Sequence, residues 1–181
     1  RAPSRLCIGY LSTDFRSHAV AYLIAQLFEL HDRSRFEVIG FSYGPDDHSD
    51  MRQRLMRAFD EFVDLRPSPH RDAARRIHDA QIDILVDLTG YTKDARSKIL
   101  AYRPAPIQVN FLGYPGTMGA DFMDYLIADA FLVPPGQEQS YSEKVVTMPD
   151  CYQPNDRKRA ISDTPLMRDA CGLPRDGFVF C

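Results

Sequence analysis

Short, continuously apolar runs alternate along most of the chain with stretches in which apolar residues return every three or four positions. The runs RLCIGYLS (5–12), FEVIGFSY (36–43), EFVDL (61–65), IDILVDL (82–88), PIQVNFLG (106–113), MDYLIAD (123–129) and KVVTMP (144–149) predict β-strands. Several lack a polar face, as strands covered on both sides of a sheet must. Between the first two, Val20, Leu23, Ile24, Leu27 and Phe28 form one stripe at helical spacing, which predicts a helix lying on the sheet. Further helices are expected at 48–59, 71–80 and 93–102. The last is stopped by RPAP, because proline disfavours helical geometry in the residue before it. This alternation specifies an α/β fold: a Rossmann-like, mainly parallel sheet with helices on both faces.

The pattern weakens after residue 150. CYQPNDRKRAISDTP (151–165) reads as a polar loop or linker, and LMRDACGLPRDGFVFC (166–181) offers a short helix and the beginning of a strand. Residues 1–150 are therefore expected to form one domain, and 151–181 a linker and the start of a second domain in a longer chain. With 181 residues, 44% of them hydrophobic, the sequence can bury one ordinary core. Its net charge is −3, and basic residues alternate with acidic ones through 52–60 and 71–79. No basic face is predicted, and nucleic acid is not an expected partner. No apolar run is long enough to cross a bilayer and RAPSRLCIGY is no signal peptide, so a soluble, cytoplasmic protein is expected. Cys7, Cys151, Cys171 and Cys181 are scattered without a CxxC or a Cys/His cluster, which predicts reduced thiols and no zinc site.

In an open parallel sheet, ligands bind beyond the carboxyl ends of the strands, where the strand order reverses. The first, fourth and fifth strands run into STDFRSHA, TGYTKDAR and GYPGTMGAD, loops that would converge on one crevice. The first loop carries Asp14, Arg16 and His18. Asp14 can be a simple turn residue, Ser17 an N-cap, and His18 a surface histidine in the first helical turn. Yet a histidine at a helix N-terminus faces the positive end of the macrodipole, which favours its neutral, proton-accepting form. Asp14 stands where it could fix the imidazole tautomer, so the two also form a possible base and orienter pair. In the fifth loop Pro115-Gly116 is a turn dipeptide, and Gly113 would let the backbone floor a sugar or nucleotide pocket. Thr89, Tyr91 and Thr92 offer hydroxyls for sugar or phosphate, or a capped helix start. The absence of GxGxxG and GxxxxGK[ST] argues against a dinucleotide fingerprint and a P-loop. His31, His48, His70 and His78 read as surface or structural residues.

The segments IGYLSTDFRSHAVAYLI, FEVIGFSYGPDD, IDILVDLTGYTKDAR, RPAPIQVNFLGYPGTMGADFMDYLIAD and YSEKVVTMP follow one another over residues 5–149. In order and spacing they resemble the amino-terminal half of the catalytic region of protein O-GlcNAc transferases, bacterial members above all. The resemblance implies a GT-B architecture, two Rossmann-like domains with the active site in the cleft between them and tetratricopeptide repeats upstream. This chain would be the first domain, inactive alone. It implies inverting transfer of N-acetylglucosamine from UDP-GlcNAc, held mostly by the second domain, to serine or threonine hydroxyls of a protein acceptor, with no cofactor and no metal. Asp14 and His18 match the family's SxDFxxH turn, where the histidine serves as base or positions the sugar. Leu112 and Gly113 match the N-acetyl pocket, and Tyr114, Pro115, Ser17 and Val20 fall on the donor side. The sequence departs from the family where Ala19 and Val20 replace proline and threonine, and Ser17 replaces asparagine. A related transferase that moves glucose to asparagine, and a non-catalytic protein-binding half of the same fold, are the alternatives.

Overall fold

The computed structural model describes residues 5–161 and 163–180. Its strands are β1 (Leu6–Ser12), β2 (Phe36–Ser42), β3 (Glu61–Asp64), β4 (Ile84–Asp87), β5 (Ile107–Asn110), β6 (Tyr125–Asp129) and β7 (Lys144–Met148). Each lies inside a run predicted to be a strand. They form one sheet in the order β3-β2-β1-β4-β5-β6-β7, every pair parallel. From β1 the chain winds outward through β2 and β3, then returns to the other side of β1, where Ile8 stands opposite Ile84. The strand order reverses between β1 and β4.

The period of two sorts the apolar strands into two cores. Ile8 and Tyr10 point to one face, against Ile24, Phe28, Leu55 and Phe59. Cys7 and Leu11 point to the other, against Ile77, Ile99 and Leu100. Helices α1 (Ala19–Leu30) and α2 (Asp50–Ala58) cover the first face, and α3 (His70–Asp79) and α4 (Lys98–Ala101) cover the second. Right-handed crossovers demand this division, because the outward and returning connections pass on opposite sides of the sheet. The first core is aromatic: Tyr10, Phe15, Phe28 and Phe59 meet in pairs with ring centroids 4.6–6.3 Å apart.

Two expectations need correction. The helix expected at 93–102 is confined to Lys98–Ala101. Thr92 donates its backbone N–H and its hydroxyl to the Thr89 carbonyl at 3.3 and 2.9 Å, and Asp94 takes φ +63°, a left-handed conformation that no right-handed helix includes. Near the end of the chain Arg168–Cys171 forms a 3₁₀ turn, and residues 178–180 form no strand; Cys181 lies outside the described residues.

Beyond β7, residues 152–158 return across α1 and α2. Tyr152 packs on the first core and its N–H donates to Asp129 at 2.9 Å. Arg54 of α2 bridges Glu29 of α1, at 2.8 Å, and the buried Asp156, at 3.2 Å. None of Cys7, Cys151 and Cys171 is in a disulfide. No helix among the described residues is long and apolar enough to cross a membrane.

Candidate active site

The carboxyl ends of β1, β4 and β5 lie side by side at the reversal, with Leu11 opposite Asp87 and Asp87 opposite Asn110. Where the strands end, apolar side chains give way to buried polar ones: Ser12, Thr13, Asp14, Asp87, Thr89 and Asn110. Such groups must be hydrogen-bonded, and their bonds shape the loops. Asp87 accepts the N–H groups of Thr89 at 3.2 Å and Gly90 at 2.9 Å. Those bonds favour its ionised form, but burial outweighs them and pushes its pKa up to about 6. The Thr89 hydroxyl accepts the N–H of Thr13 at 3.2 Å and ties the β4 loop to the β1 loop.

The turn after β1 is held from α2. Arg52, 3% exposed, donates through Nη1 to the Phe15 carbonyl at 2.9 Å and lies 2.8 Å from Asp46 through Nε. Phe15 sits in the aromatic core, so the turn is anchored by both its ring and its carbonyl. Ser17 does not cap the helix. Its N–H donates to Asp47 at 2.7 Å and its hydroxyl lies 3.2 Å from the Tyr22 hydroxyl, both on the outer surface. The N-cap is His18, extended at φ −151° and ψ 152°, whose Nδ1 accepts the N–H of Val20 at 3.3 Å.

This cap has a chemical consequence. A ring nitrogen that accepts an N–H carries no proton, so the neutral imidazole holds its proton on Nε2 and presents a donor there. Asp14 Oδ1 lies 3.6 Å from the same Nδ1. Two arrangements therefore compete for one nitrogen: the cap, with Nε2–H as donor, and an Asp14 contact, with Nδ1–H held and Nε2 an open acceptor. The shorter contact here is the cap. Burial raises the Asp14 pKa, against the opposing pull of His18 and Arg16.

After β5 the backbone is the unusual element. Leu112 takes φ +73°, and the N–H of Gly113 returns to the Phe111 carbonyl at 2.9 Å. This is a γ-turn of the positive-φ kind, which is rare and strained for a residue with a side chain. Gly113 follows because a Cβ there would stand 2.0 Å from the Leu88 carbonyl oxygen. The glycine that sequence reasoning assigned to clearance for a ligand is thus required first by contact between two turns of the protein itself. Asn110 pins the rest of the loop, donating to the carbonyls of Tyr114 at 3.1 Å and Gly116 at 3.0 Å.

The turns enclose a cavity of about 280 Å³. Of the residues singled out in the sequence, Asp14, His18, Val20 and Gly113 line it, as does the Thr92 of the β4 loop. Ser17, Leu112, Tyr114 and Pro115 do not. Leu112 turns into the first core, Tyr114 packs beside the second and edge-on to Tyr91 at 5.7 Å, and Pro115 is exposed. Arg16, Lys93 and Asp94 complete the lining. The last two were concealed inside a helix that does not extend that far, and Arg52 inside a run of alternating charge.

The profile of glycosyl transferase family 41 matches residues 1–165. The chain belongs to this family. It is 40% identical to the probable UDP-N-acetylglucosamine--peptide N-acetylglucosaminyltransferase SEC of Arabidopsis thaliana, over 97% of this chain and 18% of that protein. It is 41% identical to the UDP-N-acetylglucosamine--peptide N-acetylglucosaminyltransferase of Caenorhabditis elegans, over 95% of this chain and 15% of that protein. The solved structure of the K341M mutant of the Thermobaculum terrenum O-GlcNAc transferase superposes with a TM-score of 0.79 at 36% identity, covering 82% of this chain and 28% of that one. The family resemblance read from the motifs is borne out, and the chain spans less than a third of each of these relatives. Within family 41, the chain contributes a parallel sheet whose switch point carries the Asp14–His18 turn.

Proposed function

We propose that this chain is the sugar-facing half of the catalytic region of a protein glycosyltransferase. It would move N-acetylglucosamine from UDP-GlcNAc to serine or threonine hydroxyls, inverting the anomeric centre. The observation that carries this reading is the placement of Asp14 and His18 together on a cavity at the switch point of a family 41 sheet. A second Rossmann-like domain would bind the uridine diphosphate and close a GT-B cleft over the cavity, and upstream tetratricopeptide repeats would present the acceptor. The activities named for the relatives support the donor and acceptor classes, and a cytoplasmic location is part of the same proposal.

In the reaction the acceptor oxygen bonds to the anomeric carbon while the bond from that carbon to the diphosphate oxygen breaks. UDP leaves with the bonding electrons, and the hydroxyl proton passes to a base. Capped on α1, His18 offers Nε2–H to an oxygen of the sugar or the leaving phosphate. Turned to Asp14, it can take the hydroxyl proton on Nε2, and a positioned base contributes about 10²- to 10⁴-fold. Beside His18, at the start of α1, Val20 lines the cavity with methyl groups where the family's threonine would present a hydroxyl.

The full-length protein decides the reading. With UDP-GlcNAc it should glycosylate serine and threonine peptides, and with UDP-glucose and asparagine peptides it should not. In His18→Ala the single-turnover rate should fall about 10²-fold or more while calorimetric UDP affinity stays near that of the wild type. Near-normal turnover in a folded His18→Ala protein would remove His18 from the mechanism. His18→Asn keeps a cap and a donor but cannot take the proton, so its rate separates the two arrangements of the ring.

A further inference from the structure

Charges alternate along α3, as Arg71, Asp72, Arg75, Arg76, His78 and Asp79, and in linear order they predict no basic face. Helical geometry sorts them. Residues 71, 75 and 78 fall on one flank, which Asp79, four residues beyond Arg75, borders, because neighbours on a helix surface are three and four apart. The first flank, Arg71, Arg75 and His78, forms one wall of a groove of about 230 Å³. Tyr102 and Arg103, just beyond α4, form the opposite wall, and the buried Ala74 and Pro104 lie at its base.

Three observations set this groove apart from an ordinary solvated helix face. Among the described residues, the side chains of Arg71 and Arg75 make no hydrogen bond and no ion pair, although both are exposed, with Asp72 next to Arg71 and Asp79 four residues beyond Arg75. Arg103 is fixed in a left-handed backbone, φ +46°, by bonds from its guanidinium to Asp124 at 2.9 Å and to the Asp121 carbonyl at 3.3 Å. Such strain persists only where the surroundings over-determine it. Higher on the same face, Arg96 and Lys98 help burial to hold His70 below its ordinary pKa. Arg71, Arg75, Arg96 and Lys98 are thus gathered on this side of a chain of net charge −3, with Asp72 and Asp79 also on α3.

We propose that the α3–α4 groove is a docking surface for an acidic, carboxylate-rich segment of a partner polypeptide. The two unneutralised guanidinium groups supply the attraction, with the planar, forked geometry that suits carboxylates. Tyr102, 56% exposed, supplies a flat apolar wall for an extended chain. Nucleic acid fits less well: a strand tracks a long basic path, whereas these cations are confined to one groove of an acidic molecule. None of the groove residues lines the cavity at the strand ends, so this inference stands or falls separately from the transferase reading.

The test is a fluorescence-anisotropy titration of the protein with a short labelled polyglutamate peptide, a polylysine peptide and a polyuridine oligonucleotide. Polyglutamate should bind saturably and more weakly as salt rises, and polylysine should not bind. The double variant Arg71→Glu/Arg75→Glu should weaken polyglutamate binding by about tenfold or more, while Arg57→Glu on α2, at the opposite face, should leave it unchanged. If the charge reversal prevents folding, Arg71→Gln/Arg75→Gln should still weaken binding severalfold with an unchanged circular-dichroism melt. No saturable binding, wild-type affinity in a folded double variant, or preference for polyuridine would each overturn the proposal.

Discussion

At the end of β1 the chain sets Asp14, Arg16 and His18 in one short turn, whereas at the end of β5 it sets Leu112 and Gly113, and the two turns border the same cavity. The first contributes functional groups. Its backbone is ordinary, and its position is fixed from outside by Arg52 on the Phe15 carbonyl. The second contributes shape. Its backbone is strained at Leu112 and wedged by Gly113 against Leu88. A wall made of side chains can lose its chemistry and keep its form, but a wall made of backbone can lose neither without the other.

The largest effect expected from this contrast is at Gly113. Gly113→Ala puts a methyl group 2.0 Å from a backbone oxygen that cannot rotate away, and should cost about 3–5 kcal/mol, read as a lowered urea midpoint. A midpoint within error of the wild type would show that the β5 turn relaxes, and would return the glycine to ligand clearance.

An intermediate effect is expected at Asp87, which underlies both turns through the Thr89 loop. Its folded pKa of about 6 lies above the ordinary 3.8, so the fold prefers the neutral carboxyl. That stabilisation is complete below the unfolded pKa and is lost as pH rises through 6, an amount of ~3 kcal/mol for a shift of this size. Asp87→Asn cannot titrate. Its amide carries a constant cost, so the slope of stability against pH, not its level, makes the comparison. Equal slopes for the two proteins between pH 4 and pH 8 would place the Asp87 pKa elsewhere.

The smallest effect is expected in the β1 turn. His18→Ala removes the α1 cap and should lower stability by ~1 kcal/mol, while His18→Asn, which restores a capping oxygen, should recover most of it. Calorimetric melts of both variants make the check. A loss as large as that of Gly113→Ala would erase the distinction between the two walls.

The sequence made the strands and α1–α3 legible because each carries its own period: Ile8 and Tyr10 against Cys7 and Leu11, Ile24 and Phe28 on one stripe. It also made Asp14 and His18 legible, because strand-to-helix junctions are where such folds bind. Arg52 was not legible, because its partner is 37 residues away and nothing local marks an arginine as buried. The Leu112 turn was hidden for another reason. A leucine gives no warning of a positive φ, and the glycine beside it drew the attention. His18 displaced Ser17 as the cap because Ser17 is engaged by Asp47 and Tyr22, contacts that capping preference alone does not contain.

The polar floor bears on how the molecule opens. Loop amides ordinarily exchange with solvent through cheap local fluctuations, while strand amides wait for larger openings. Here the N–H groups of Thr13, Thr89 and Gly90 lie in loops yet end on buried side-chain oxygens of Thr89 and Asp87, and that of Phe111 ends on the Asp87 carbonyl. Each of the first three bonds ends on a buried side chain at the base of the sheet, so opening it disturbs that side chain as well as the loop. In deuterium these loop amides at the base of the cavity should exchange on the clock of the strands beside them, so that a loop in sequence behaves as core in time.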